Sequence, residues 1–326
     1  MKKYLLSSIL LSIGYASFCQ KIPQHDNYRE SLSNIKIKDA PRFYLSVHGG
    51  YAFSLGSTFK FYPDNISSVT VKQLDNTPEV KQVDYREDTK GLGDGFRAGV
   101  GLSYVINDFL NVGVDIDYFK SSISKIRDSS YYSAQTMNGG VDEVNYNEQY
   151  KISYTTSLLS FSPNITFKAI ARPKFFIYNK LGAIVIFRPS SIQRESVDGN
   201  YKLGWQGFYR DSSSTSKKVY DWGIRNPAFG FVGGIGGQVK VTEMIRAYAE
   251  VQFTHVIFKV RNRLLTDYTQ DGKEVLNTLS QSEKEIVFEK SFTSGENNNP
   301  NMPTIATYQK FPITYAGLQL GLIYRF

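Results

Sequence analysis

Cysteine is almost missing from this chain: 326 residues contain one, Cys19. Histidine is nearly as scarce, with three residues, His25, His48 and His255, scattered far apart. Beyond residue 19 there is no run of 18 or more apolar residues and no block of lysines and arginines. Each shortage excludes something. If Cys19 is lost with a leader, no disulfide or thiolate metal site remains. Three dispersed histidines make no zinc set, and Asp198-Gly199-Asn200 is a turn signature shorter than a calcium loop. No metal and no cofactor are expected. The lack of a long apolar run excludes a transmembrane helix. The net charge is +8, of which Lys2 and Lys3 supply two, leaving 8 − 2 = +6, too mild and too dispersed for a nucleic-acid surface.

What is present begins with a leader. Residues 1–19 have a basic start and an apolar stretch from Tyr4 to Phe18, then polar sequence follows at once. This is the pattern of a secretory signal cleaved between Cys19 and Gln20, with small Ser17 and Cys19 before the cut. The alternative, a lipoprotein acylated at Cys19, needs a small residue where bulky Phe18 stands. Residues 20–41 read as a polar lead-in, and residues 42–326 as one domain. Aromatics make up 14% of the chain, with 23 Tyr and 22 Phe, although mean hydropathy is −0.31. An exported chain embedded without helices must satisfy every backbone N–H and C=O in a closed barrel.

Two-residue periodicity supports that expectation. Phe43, Leu45, Val47, Tyr51 and Phe53 alternate with Tyr44, Ser46, His48, Ala52 and Ser54. Similar stretches occupy 91–106, 109–126, 148–169, 175–188, 223–240, 245–265 and 309–326. Short turns near 107, 172 and 242 alternate with long connections over 57–90, 127–147, 189–222 and 266–308. The expected fold is therefore all-β: an eight-stranded antiparallel up-and-down transmembrane barrel, with short periplasmic turns and four long extracellular loops. Ten strands are the runner-up, because the first and last loops could each hide a hairpin, for example Val69–Lys72 with Val80–Val83. A soluble β-sandwich would also alternate. Pro163, inside the fourth strand, predicts a bulge or a broken ladder.

The last stretch carries a resemblance. Counting back in twos gives Phe326, Tyr324, Leu322, Leu320 and Leu318, all apolar, opposite Arg325, Gly321, Gln319 and Gly317. A terminal Phe with alternating apolar positions resembles the signal that the barrel-assembly machinery reads in bacterial outer-membrane proteins. The chain resembles the small OmpA/OmpX type, and is closest to the PorT-like barrels of Bacteroidota. The resemblance implies a bacterial outer-membrane location, with outer-membrane lipids and lipopolysaccharide as surroundings and an outer-membrane complex as a partner.

Register then selects the inward set. Arg97, Lys180 and Arg246 face Asp115, Asp117 and Glu250, three charges of each sign, which suits an ion-paired core. A selective pore would show one sign in excess. His48 belongs to the same interior, and His255 to the outer face. In the third long connection Tyr201, Trp205, Phe208, Tyr209 and Trp222 alternate with basic residues and form a candidate surface-binding loop. Its alternative is a hairpin that continues the strands, with the rings covering one another. No catalytic set is expected: none of the histidines stands in a His-x-Ser motif of the lipid A deacylase kind. The expectation is a non-enzymatic structural or accessory protein of the outer membrane. A narrow channel is one alternative and a lipid-modifying enzyme another.

Overall fold

A strand with one apolar face and one small or polar face must pair on both edges to satisfy its backbone. Here eight strands do so until the last meets the first. The structure, a computed structural model, describes residues 42–55, 66–74, 77–85, 92–137, 140–171, 174–205, 208–224, 227–290, 299–307 and 310–326. The leader and lead-in lie outside the described residues.

Fourteen strands among the described residues form one sheet. They are β1 (Phe43–Ser54), β2 (Ile66–Leu74), β3 (Thr77–Tyr85), β4 (Gly95–Val105), β5 (Leu110–Met137), β6 (Gly140–Ala171) and β7 (Phe175–Trp205), then β8 (Phe208–Ile224), β9 (Ala228–Lys240), β10 (Ile245–Gln270), β11 (Lys273–Glu274), β12 (Glu285–Glu289), β13 (Thr304–Thr307) and β14 (Lys310–Arg325). A closed ring runs β1–β4–β5–β6–β7–β9–β10–β14 and back to β1, every pair antiparallel. The terminal strand closes it, with Leu45 opposite Tyr324 and Tyr51 opposite Leu318.

The ring is lopsided in height. β6 has 32 residues and β7 has 31, against 12 in β1 and 11 in β4. At roughly 3.3 Å per residue, β6 is about 105 Å long and β1 about 40 Å. β5 leaves β4 at Ser121, and β10 leaves β14 at Lys259. Beyond those points β5, β6, β7, β8 and β10 continue as a tall wall, in which β8 replaces β9 between β7 and β10. The expected polar loops over 127–147 and 189–222 are therefore strands for most of their length. The expected sixth strand, 223–240, is the end of β8 followed by β9. The hairpin in the first long connection exists, as β2 with β3, but β2 pairs in parallel with the upper part of β5 and stands outside the ring.

Side-chain acceptors close the short turns. Asn107 Oδ1 accepts from the N–H groups of Phe109 and Leu110, and Thr242 Oγ1 from Ile245. At Ser162 and Pro163 the ladder from β6 to β7 lapses without a change of register, because proline has no N–H to give; the ladder to β5 stays intact. Arg188 has φ 48, and next to it the register between β6 and β7 shifts. This bulge moves the buried positions of β7 from even (Ile184, Ile186) to odd (Ser191, Gln193).

Candidate functional site

Buried titratable groups converge in the bore, which is stacked in layers. Nearest the short turns, Tyr44, Tyr248 and Ile323 pack together. Next comes a charged layer, four residues further along β1 at His48 and two further along β10 at Glu250. Above it Ala52, Phe119, Leu158, Ile184, Ile186, Val256, Phe258, Ile313 and Tyr315 form an apolar layer, in which the Phe119 and Tyr315 rings stack at 5.5 Å.

The charged layer is closely interlocked. Arg97 Nη2 donates to Asp117 Oδ2 at 2.5 Å, and its Nη1 donates to Gln252. His48 Nε2 lies 2.5 Å from the other oxygen of Asp117. Lys180 Nζ reaches Asp115 at 2.8 Å and Glu250 at 3.5 Å. Asn164 Nδ2 donates to Asp115 at 3.0 Å and the Tyr178 hydroxyl to Glu250 at 2.8 Å. Asp117 and Glu250 are each only 1% exposed. Small residues leave the room: a Cβ on Gly99 would sit 2.4 Å from Asp117 Oδ1 and 2.7 Å from His48 Nε2, and one on Gly101 2.3 Å from Asp115 Oδ1. Every carboxylate here holds a cation and at least one further donor, which is the condition under which buried charges are tolerated.

Five of the six expected network residues meet in this layer. Arg246 does not. It faces inward near the short turns with its guanidinium over the Phe176 ring, 5.4 Å from the centroid. Register assigns a face but not a height, and Arg246 stands four residues from Glu250 along β10. His255 faces outward, as expected, with Nδ1 2.7 Å from Thr314 Oγ1.

The aromatic residues of the third long connection do not share a surface. Tyr201 stacks on Tyr146 at 4.7 Å across β6 and β7. Trp222, far down the hairpin, stacks on Phe288 at 6.1 Å, donates Nε1–H to Gln193 at 2.8 Å and lies under the Arg263 guanidinium. Phe208 at the tip is 79% exposed, and the side chains of Trp205 and Tyr209 lie outside the described residues. The strands do continue as a hairpin, and the described rings are covered by rings of neighbouring strands, Tyr146 and Phe288, rather than by one another. Burial, and then the nearby Glu195 carboxylate, push the Tyr220 hydroxyl up to about 12. Near the tip a polar cleft of about 410 Å³ is lined by Asn145, Asn147, Asn200, Lys202 and Asp211 among others.

Sequence reasoning missed the apolar layer. Its signal was available as runs apolar on both faces, Ala183–Phe187 and Val256–Phe258. Phe119 and Phe258, 1% and 2% exposed, cover the charged layer from above.

The outer side of the ring is the reverse of the bore. Val47, Val100, Leu102, Leu181, Ile235, Val251, Leu318, Leu320 and Leu322 all stand exposed around it.

No family model matches the chain, and no curated protein matches it. Solved structures similar to it include a Pseudomonas aeruginosa FadL homologue (8% identity, 88% of this chain and 91% of the other, TM-score 0.16). Others are the outer-membrane expressed OmpT of Vibrio cholerae (11%, 87% and 97%, 0.13) and a deltaS2 mutant of the TodX monoaromatic hydrocarbon channel (7%, 88% and 91%, 0.14). At such TM-scores these likenesses carry no structural argument.

Proposed function

We propose that the ring is a transmembrane β-barrel of a bacterial outer membrane, with its bore closed by its own side chains, and that it works without catalysis as a structural or accessory protein through its tall wall. The observation that carries this reading is the exposed apolar belt and its two borders. Phe43, Phe109, Phe167, Tyr324 and Phe326 border it at the short-turn end, and Phe53, Phe96, Phe187, Phe229 and Phe231 at the other; all are exposed. From Phe43 to Phe53 the strand advances ~33 Å, which at a tilt of about 40° gives roughly 25 Å of height, the thickness of an outer-membrane apolar band between aromatic girdles. In water such a belt would be a large association surface.

The narrower likeness to PorT-like barrels rests on the terminal alternation and strand pattern alone. The terminal residues Leu318, Leu320, Leu322, Tyr324 and Phe326 lie on this outward face, where an assembly machinery could reach them before closure. Eight strands enclose an interior that side chains can fill, and here an ionic layer and an apolar layer do so, which favours a plug over the narrow channel. The wall rises far beyond the ~9–11 residues a crossing needs, leaving a broad surface for lipopolysaccharide or for an outer-membrane complex.

Membrane fractionation with detergent extraction tests the location: recovery in the soluble fraction without detergent sinks it. Planar-bilayer recording of the refolded protein tests the plug, with discrete conductance steps as the contrary result. Comparing lipid A by mass spectrometry with and without the gene tests the absence of catalysis.

A further inference from the structure

Near the tip of the tall wall, β6, β7 and β8 carry residues that strands tend to avoid. Asn145, Asn147, Asn200 and Asp211 occupy regular ladder positions, although asparagine and aspartate are depleted in strands. Asp198-Gly199-Asn200, a turn signature in the sequence, runs on in the ladder without a shift of register. These residues stand together. Asn145 pairs with Lys202 and Lys202 with Asp211; Asn147 pairs with Asn200 and Asn200 with Ser213. The two rows are two residues apart, so the pleat turns all six toward one face. They line a cleft of about 410 Å³, and all but Asn145 are exposed. Asn147 Nδ2 donates to Asn145 Oδ1 at 3.3 Å, which sets the two amides side by side. At the alternate positions the Tyr146 and Tyr201 rings stack at 4.7 Å, and Ser214 Oγ donates to the Tyr201 hydroxyl at 3.4 Å.

Exposed asparagines and an aspartate in a strand cost stability and bring no packing in return, and departures of this kind fall at functional sites. What the cleft offers decides the class of ligand. Neighbouring strands lie ~4.8 Å apart and successive residues of one face ~6.7 Å apart, a grid on the scale of a sugar ring. Each amide donates and accepts within one planar group, as vicinal hydroxyls do, and the Ser213 hydroxyl, the Asp211 carboxylate and the Lys202 ammonium extend that mixture. An apolar ligand finds no aliphatic side chain among the six. An anion meets Asp211, and a cation meets Lys202. We propose that the cleft binds the end of a neutral saccharide. The amides of Asn145, Asn147 and Asn200 take up vicinal hydroxyls, and Asp211 accepts from a further one. These groups stand on strands joined by unbroken ladders, so binding orders little that is not ordered already. The inference rests on the reading that the wall is the working part of the protein. A cleft that binds nothing would leave the membrane location and the filled bore untouched.

The test is calorimetric titration of the refolded full chain in a detergent without a sugar headgroup. The probes are maltose, cellobiose, mannobiose and diacetylchitobiose, with pyrophosphate as the anionic contrast. Saturable binding of at least one disaccharide is expected, equal at low and high salt because the ligand carries no charge. Asn200→Ala, in the middle strand of the cleft, should weaken it at least tenfold, and Asp211→Ala three- to tenfold. Lys218→Met, lower on the wall, should leave it unchanged. Hydrogen exchange with the disaccharide present should slow at 143–147, 199–203 and 210–214 and nowhere in the ring. The same measurement without it verifies that each variant keeps its ladders. If Asn200→Ala frays the tip, Asp211→Asn, which keeps the shape and removes the charge, decides the matter with the same three- to tenfold loss. The absence of saturable binding by every disaccharide overturns the proposal, whether or not pyrophosphate binds. So does binding that the cleft variants leave unchanged.

Discussion

Up to Ser121 on β5 and Lys259 on β10, the ring strands turn an apolar face outward and a packed face into the bore; beyond those residues the inner face carries a small buried cluster of Ile123, Ile152 and Tyr154, with Val260 and Leu265 also buried, and the strands then run on with polar groups on both faces. The two regions share strands, hydrogen-bond ladders and twist, yet different forces hold them. In the ring, which face a residue takes is decided by kilocalories, since a charge belongs among partners and an apolar group outside. In the tall wall above that cluster either face tolerates serine, threonine or lysine, and aromatic pairs such as Tyr146 with Tyr201 and Trp222 with Phe288 contribute to stability. The ring should therefore respond sharply to single substitutions and the wall weakly.

The largest effect is expected from Asp117→Ala, which strips Arg97 and His48 of their shared carboxylate. Leaving a buried guanidinium uncompensated costs about 3–5 kcal/mol, to be read from guanidinium unfolding of the reconstituted protein. Asp198→Ala, exposed on the wall, should stay within about 0.5 kcal/mol. Equal losses would erase the distinction. Next comes an arginine scan of the outward face. Leu320→Arg, at the middle of the belt, should cost roughly 2–4 kcal/mol, whereas Ile126→Arg, outward on β5 above it and 52% exposed, should cost about 0–1 kcal/mol. A flat scan would mean that no bilayer surrounds the ring.

Trp222→Ala ranks third. It removes the stack on Phe288, the contact with Arg263 and the hydrogen bond to Gln193. Since an aromatic pair adds about 0.5–1.5 kcal/mol beyond burial, faster hydrogen exchange is expected in the upper parts of β8 and β10, with the unfolding midpoint of the ring almost unmoved. Loss of the whole ring would show that the wall and ring form one cooperative unit.

The same contrast explains what could be read in advance. Strict alternation over 43–53, 96–106 and 175–187 located ring strands because one face had to be apolar. It failed over Ser212–Ser216 and Arg127–Ser130, where both faces are polar and a strand resembles a loop. The inward faces of Arg97, Asp115, Asp117, Lys180 and Glu250 followed from parity alone. Parity misplaced Arg246 because two residues on the same face can lie a layer apart. The bulge at Arg188 had no signal, since arginine is not a residue that favours φ above zero. Asp271-Gly272 did offer one: the pair forms the two-residue turn between β10 and β11, with φ 50 and 76.

The finest test of the comparison is a single lysine on the wall. Lys218 Nζ sits 4.8 Å from the centre of the Tyr268 ring, across the β8–β10 ladder. Water screens the ammonium there, so Lys218→Met should lose about 0.5–1 kcal/mol of cation–π attraction, and the methionine side chain recovers part of that by lying on the same ring. The net change should fall near the limit of an unfolding measurement and show only as faster exchange at the ladder from Thr269 to Val219. In the ring, Lys180→Met makes the same chemical change but leaves Asp115 without its cation and weakens the hold on Glu250. If the two substitutions cost alike, depth in the bore contributes nothing to the strength of these charges, and the plug is held by its apolar layer alone.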